Sequence, residues 1–438
     1  MQTQFGEKQL GSQLISEAND ILRSCVHCGF CNAVCPTYGL LGNELDGPRG
    51  RIYLVKDMLE QDRHPGRARL HLDRCLTCRA CETACPSGVD YVRLMDIGRH
   101  HMSEKGAYPI FRRLINAFLS TLVPYPGRLA PFVLLGRGLR TLLPKRLRYL
   151  LGEKSRFKRR ARSLALRATT VEDAGQAGMV LPTDAPYAKK VILLEGCVQK
   201  VVTPGVNDAL EYLLRLSGVE VIRMAQESCC GALDYHLPRQ EKALVHMRQL
   251  IDQLWPYIDP ASPPEVRVEA IVSSASGCGV TIRDYPVILS EDPVYATRAG
   301  HVADVLKDAS EVLSPRAIQC NRRRIAFQAP CTLQHGYGLA DHLRGLLVAL
   351  GFELLPLAGA QICCGSAGTY SMMHPVIAGK LRDNKIASLL EKNPEIIVTA
   401  NVGCQLHLSG ADQSLGESVP VMHWVELVAD NIRLSSPT

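Results

Sequence analysis

A chain of 438 residues, 46% of them apolar, has room for about two to four domains with adequate cores, so its seventeen cysteines are not needed as disulfide staples for an undersized fold. They point instead to metal ligation in a reducing compartment. The stretch from Met1 to Asn19 has no basic start leading into an apolar run, so no secretory signal is read and a cytoplasmic protein is expected. Net charge is +7, and no stretch approaches the roughly 20 apolar residues that cross a bilayer; the nearest, Leu129 to Gly136, is bounded by Arg128 and Arg137.

In chain order, Asp20 to Arg23 reads as helical and leads into Cys25-Val-His-Cys28-Gly-Phe-Cys31-Asn-Ala-Val-Cys35-Pro36. Arg51 to Gln61 places Ile52, Val55, Met58 and Leu59 on one helical face, and a second run follows, Cys75-Leu-Thr-Cys78-Arg-Ala-Cys81-Glu-Thr-Ala-Cys85-Pro86. Both read C-x2-C-x2-C-x3-C-P, the bacterial ferredoxin run for a cubane [4Fe-4S] cluster, in which the fourth cysteine serves the other cube. Two clusters are therefore expected, one on Cys25, Cys28, Cys31 and Cys85, the other on Cys75, Cys78, Cys81 and Cys35. The alternative, a pair of structural zinc sites, needs ligands in two pairs and has no use for the triple spacing. Residues 1–104 form the expected α-helical ferredoxin module.

A connector spans residues 105–187, where Pro124, Pro126, Pro131 and Pro144 are expected to interrupt any long helix. From Lys105 to Arg167 it carries 16 Lys or Arg against the single acid Glu153, so a local +15 leaves −8 for everything else. Ile110, Phe111, Leu114, Ile115, Phe118, Leu119 and Leu122 recur at helical spacing, which predicts an amphipathic helix. Such a segment suits a solvated face, an acidic partner or anionic lipid, and peripheral attachment to the cytoplasmic face of the inner membrane is one expectation. No nucleic-acid module is recognisable, and prolines break the basic stretch, so no nucleic-acid partner is expected.

The remainder is an internal repeat. Cys197 is followed by Cys229-Cys230-Gly231, and Cys331 by Cys363-Cys364-Gly365, an offset of 134 residues for each member; Cys278 and Cys404 close the two units. Strand and helix patterns alternate in each. Val191 to Leu194, Val219 to Met224 and Ala270 to Ser273 read as strands of the first unit, with helices at Val206 to Leu216 and Glu241 to Trp255. Arg324 to Gln328, Glu353 to Leu357 and Ile396 to Thr399 copy the strands in the second, with helices at His342 to Leu350 and Lys380 to Leu390. The expected architecture is thus a helical module followed by two α/β cysteine-rich units with parallel sheets, at residues 188–318 and 319–438. In a parallel sheet the carboxyl ends of strands share one rim, where Cys197, Cys229, Cys230 and Cys278, and likewise Cys331, Cys363, Cys364 and Cys404, should converge.

Four thiols per unit match one further iron-sulfur cluster in number, but adjacent cysteines suit equally an unusual cluster, a redox thiol pair, or buried core residues beside glycine turns. Cys320 lies outside both patterns and reads as an ordinary thiol. His236, His335 and His374 follow cysteines closely enough to bond a cluster sulfur, ligate metal or gate a proton. No G-x-G-x-x-G, phosphate loop, H-E-x-x-H or G-x-S-x-G turn is present. With no visible flavin or nicotinamide site, the chain is expected to need a partner before it can oxidise an organic substrate by hydride loss.

The two cysteine runs, together with Glu44-Leu-Asp-Gly-Pro-Arg-Gly-Arg-Ile-Tyr53, Leu72 to Cys78, Leu194 to Cys197, Cys229 to His236, Cys331 to His335, Cys363 to Tyr370 and Thr399 to Gln405, resemble the iron-sulfur subunits of membrane-linked 2-hydroxy acid and glycerol-3-phosphate dehydrogenases, most specifically those of glycolate oxidase, and at the repeats heterodisulfide reductase. The resemblance covers nearly the whole chain outside the connector. It implies an electron-transfer subunit, not catalytic alone, that takes electrons from flavin-binding glycolate oxidase subunits, which convert glycolate to glyoxylate, and passes them to a respiratory acceptor, quinone. A quinone site or further cluster in the repeats belongs to the same implication. The alternatives are the corresponding subunit of a lactate or glycerol-3-phosphate dehydrogenase, or a heterodisulfide-reductase-like thiol reductase. Against the last, Ala275 and Asn401 stand where that family often carries the first cysteine of a closing C-x2-C pair.

Overall fold

The structure is a computed structural model that describes residues 1–61, 65–143, 148–152, 189–315, 318–411 and 419–433. The ferredoxin module is built on α1 (Gln13–Ser24), α2 (Pro48–Glu60) and α3 (Tyr91–Glu104), with short helices between them. Proline opens α2 at a position whose N–H has no helical partner, and the face expected from the sequence, Ile52, Val55, Met58 and Leu59, is buried against α3. Leu22, Leu72, Leu94, Met95 and Met102 complete a separate core, each fully buried side chain contributing roughly 1.5–3 kcal/mol relative to exposure.

Two helices follow, α4 (Ile110–Leu122) and α5 (Pro126–Gly138), which meet at 102°. The break falls at Pro124 and Pro126 as expected, but Pro131 does not interrupt: it lies inside α5. The hydrogen bond it forgoes is to the first-turn carbonyl of Gly127, which is exposed, so water replaces the lost donor. Pro144 and the connector beyond residue 152 lie outside the described residues.

Each cysteine-rich unit is a four-stranded, all-parallel sheet. In the first, β1 (Lys189–Leu194) leads through a short α6 (Gln199–Val202) and α7 (Pro204–Leu216) to β2 (Val219–Arg223), then through α8 (Gln240–Ile258) to β3 (Ala270–Ser273), α9 (Ser276–Arg283) and β4 (Leu306–Asp308). The second repeats this with β5 (Arg324–Gln328), a π-helical turn (Thr332–Tyr337), α10 (Ala340–Ala349), β6 (Glu353–Leu354), α11 (Pro375–Leu390), β7 (Ile396–Thr399), α12 (Val402–Ser409), β8 (Val421–His423) and α13 (Trp424–Asn431). Strand orders are β2-β1-β3-β4 and β6-β5-β7-β8. The central strands are continuous apolar runs because helices cover both faces. β6 is shorter than the expected Glu353 to Leu357: its pairing with β5 ends at Leu354, and one further bond runs from the Leu355 N–H to the Ile325 carbonyl.

The two units share one continuous apolar core. They face each other across an approximate twofold: α9 of the first packs on the π-helical turn of the second, and α7 of the first on α13 of the second. Across the same axis, Leu406 of α12 joins Val198 and Val201 around α6. Helices that begin at the cysteine-bearing strand ends therefore meet in the middle of the molecule.

Candidate metal centres

Both cysteine runs are built alike. Cys25 caps α1 with its N–H on the Leu22 carbonyl at 3.2 Å, and Cys75 does the same to Leu72 at 3.2 Å. The chain then passes through left-handed conformations at His27 (φ 58°) and Gly29 (φ 84°) in the first run, and at Thr77 (φ 53°) and Arg79 (φ 64°) in the second. For the three non-glycine residues this costs on the order of 1 kcal/mol or more each, strain that curls successive thiols round a common space. Short helices Phe30–Ala33 and Ala80–Thr83 carry the third cysteines and pack on each other.

The result is two neighbouring cavities. Cys25, Cys28, Cys31 and Cys85 line the first, and Cys81 lines both. Cys35, Cys75, Cys78 and Cys81 line the second, together with Thr37, Arg51 and Tyr91. The fourth cysteine of each run thus stands with the other run's first three. All eight thiols are free of disulfides, and among the described residues no three His, Cys, Asp or Glu side chains converge as a single ion requires. Four thiols ringing a space fit a cubane [4Fe-4S] cluster.

Charge is arranged round these thiols unevenly. Burial, then Cys25 and Cys28, push Cys31 up to about 11, and burial raises Cys78 and Cys81 as well, so only a bound metal would hold these groups as thiolates. Cys75 moves the other way: burial opposes ionisation, but Arg51 and Arg99 outweigh it and hold its thiol below the ordinary value. Arg51 is itself buried, donating to the His71 carbonyl at 2.8 Å and Thr37 Oγ1 at 3.1 Å; Arg99 donates to the Cys75 carbonyl at 3.0 Å. The Thr77 N–H and Tyr91 hydroxyl lie 3.4 and 3.7 Å from Cys75 Sγ.

The repeat cysteines gather as well. Cys197 and Cys229 sulfurs are 3.5 Å apart, Cys229 adjoins Cys230, and Cys230 adjoins Cys278. In the second unit Cys331 adjoins Cys363, Cys363 adjoins Cys364, and Cys364 lies 3.3 Å from Cys404. Ala275 and Asn401 occupy the residue just before α9 and α12, and Asn401 reaches toward Gly277 of the first unit. Cys320 is buried away from both sets, bonded to the Val428 carbonyl.

The second quartet also touches the module. Cys78 packs with Cys331, Cys363, Leu76 and Tyr370 in one apolar cluster, and after burial Cys331 is the strongest influence raising the Cys78 thiol. Tyr370 donates to the Arg74 carbonyl at 3.1 Å, and His335 bonds Thr83 at 2.9 Å. His335 is thus a docking residue. His374 stacks on Tyr370 at 4.7 Å, and burial, then Arg112 and Arg74, lower it to about 4. His236 is exposed, and desolvation, then Arg99 and Arg79, lowers it to about 3. Against the first unit, Arg79 forms a two-pronged ion pair with Asp284, and Arg93 bonds Tyr235 at 3.2 Å.

Two charged groups, one buried and one half-buried, went unread in the sequence. Lys385 lies under the second quartet with its ammonium on the carbonyls of Gly359 and Ala360, at 2.9 and 3.2 Å; 134 residues earlier the first unit has Ile251. Glu227, beside Cys197, accepts the N–H groups of Glu195 and Gly196, each at 2.8 Å, where the second unit has Gln361. The only signal was the repeat alignment itself, in which opposite charges replace a neutral twin.

Comparison with known proteins agrees with this division. The 4Fe-4S dicluster domain family matches residues 21–89, and the cysteine-rich domain family matches 191–283 and 325–409. The chain is similar to the glycolate oxidase iron-sulfur subunit of Escherichia coli, 41% identical over 98% of both chains. It is also similar to the probable glycolate oxidase iron-sulfur subunit of Bacillus subtilis, 30% identical over 93% of this chain and 94% of that one. Lactate utilization protein A of an Exiguobacterium species is 25% identical over 56% of this chain and 98% of its own.

Proposed function

The chain belongs to the glycolate oxidase iron-sulfur subunit family, and from that premise we propose that it collects electrons from flavin-bearing partner subunits and conducts them to a quinone. Its class is settled: it is an oxidoreductase subunit that carries electrons on iron-sulfur groups within a multi-subunit complex. The observation that supports the finer reading is the crossed sorting of eight thiols into two cavities, with Cys78 packed on the second repeat quartet. We assign Cys25, Cys28, Cys31 and Cys85 to one [4Fe-4S] cluster and Cys75, Cys78, Cys81 and Cys35 to the other. Bound there, the clusters supply one-electron steps that divide the two-electron oxidation of a hydroxy acid.

The residues around them set the conditions. Arg51 and Arg99 stabilise negative charge at Cys75, and Cys35, Cys75 and Cys81 beside them are buried. Tyr370, His335 and Arg79 hold the module to the repeats, so the separation between Cys78 and Cys331 is fixed by packing. The repeat quartets are read as a further cluster site or the place where the acceptor is reduced. To test this, the purified chain with its clusters loaded is mixed anaerobically with glycolate, with and without the flavin subunits. Cluster reduction, read by electron paramagnetic resonance, is expected only with the flavin subunits present. Glycolate turnover by the flavin-free chain would overturn the relay.

A further inference from the structure

Helix α4 is built inside out. Its outward face is apolar, with Ile110 and Phe111 each 74% exposed and Leu114 and Phe118 beside them, while the residues it buries against the protein include Asn116 and Ser120. A helix on a water-soluble domain does the reverse. The inward polar face is held by Lys242 of α8, whose ammonium reaches the Ser120 carbonyl and, at 2.8 Å, its hydroxyl. The orientation is therefore anchored by specific bonds.

Helix α5 extends the same surface. Leu129 and Val133 pack inward on Val202, but Phe132 and Leu135 point out, and Phe132 meets Phe118 edge to face at 6.5 Å, joining the two outward faces. Of 23 large apolar side chains exposed among the described residues, nine fall between Ile110 and Leu142, far too many in 33 residues for scattered exposure. Charge says what covers them. From Lys105 to Gly152 there is no acid, and Arg113, Arg128 and Arg140 are exposed among the apolar positions. A basic rim round an apolar face complements an anionic lipid surface.

We propose that the bent pair α4–α5 is a membrane-docking element that lies in the interface of an anionic bilayer with its outward apolar face among the acyl chains. Neither helix is long enough to cross, and the 102° bend keeps both available to one surface. The element stands apart from the electron relay and does not depend on which acceptor is reduced.

The test is flotation of the full-length, cluster-loaded chain with vesicles of phosphatidylcholine alone or mixed with phosphatidylglycerol. The parent is expected to float with the mixed vesicles, and Leu114→Glu/Leu135→Glu to lose at least about tenfold in partitioning while keeping its visible cluster spectrum. Arg113→Glu/Arg140→Glu is expected to lose about tenfold at low salt. A parent that stays in solution, or a glutamate variant that floats as well as the parent, overturns the proposal, as does a parent that self-associates through this face without floating. Should the glutamate variant lose its clusters, Phe118→Trp in the otherwise unchanged chain decides: its emission is expected to shift blue and be quenched by brominated lipid, and no change would refute docking.

Discussion

Arg99 delivers a buried positive charge to the backbone of Cys75, and that position has a measurable consequence. Replacing it with glutamine keeps donors for the carbonyls but removes the charge. Reduction of a cluster on Cys75 then becomes harder, and its midpoint potential should fall by roughly 50–100 mV, the scale of a buried charge several ångströms away, with the first cluster shifting much less. A redox titration followed by electron paramagnetic resonance distinguishes the two. Cys35→Ser should likewise damage the cluster on Cys75, Cys78 and Cys81 and spare that on Cys25, Cys28 and Cys31; an unaltered second signal would contradict the crossed assignment. Asp96 offers a test by pH. Burial, against Arg99 and Arg93, lifts its carboxyl to about 7, and its Oδ1 has no hydrogen-bond partner among the described residues. A carboxyl raised above its unfolded value of 3.8 contributes stability that is complete below that value and is lost as pH rises through about 7. Asp96→Asn should therefore flatten the fall in thermal midpoint between about pH 5 and 7, and be the more stable protein by about 1–3 kcal/mol at higher pH.

Among the elements, α9 and the π-helical turn meet so closely that only glycine fits. A Cβ on Gly279 would lie 1.9 Å from Tyr337 Oη, and one on Gly336 would lie 2.4 Å from a Val280 methyl. Gly279→Ala should push the units apart and cost about 1–3 kcal/mol, lowering the unfolding midpoint without removing the clusters of the module. This junction was not legible in the sequence, because a glycine that permits a crossing looks like any other until its partner is known. The strands behaved differently. β3, β5 and β7 have the ends expected from the sequence, since a short apolar run bounded by polar residues marks a doubly covered strand. The edge strands β4 and β8 went unread: three residues each, with Lys307 and His423 among them, they carry no such pattern. Spacing alone brought out the cysteine sets, because ligand spacing is local, whereas Lys385 reads as an ordinary surface lysine on a helix and only packing reveals it as buried.

At the scale of the whole molecule, the module leans on both units but brings a thiol to only one of them. Arg79 and Arg93 tie it to the first unit through ions and a hydroxyl, while Cys78 lies against Cys331 and Cys363 of the second. Cys331→Ser should therefore perturb the spectrum of the cluster on Cys78, and Cys197→Ser should leave it as it is; equal effects would mean that the two quartets couple equally to the module. The approximate twofold gives this contact its meaning. Two identical subunits would present an arriving electron with two equivalent destinations and no reason to choose. Fusing the copies into one polypeptide released each from being its twin's mirror: one took a lysine where the other has Ile251, one a glutamate where the other has Gln361, and a single lodger settled its thiol on one side. Broken symmetry of this kind makes the two quartets distinguishable: only the second has a module thiol packed against it.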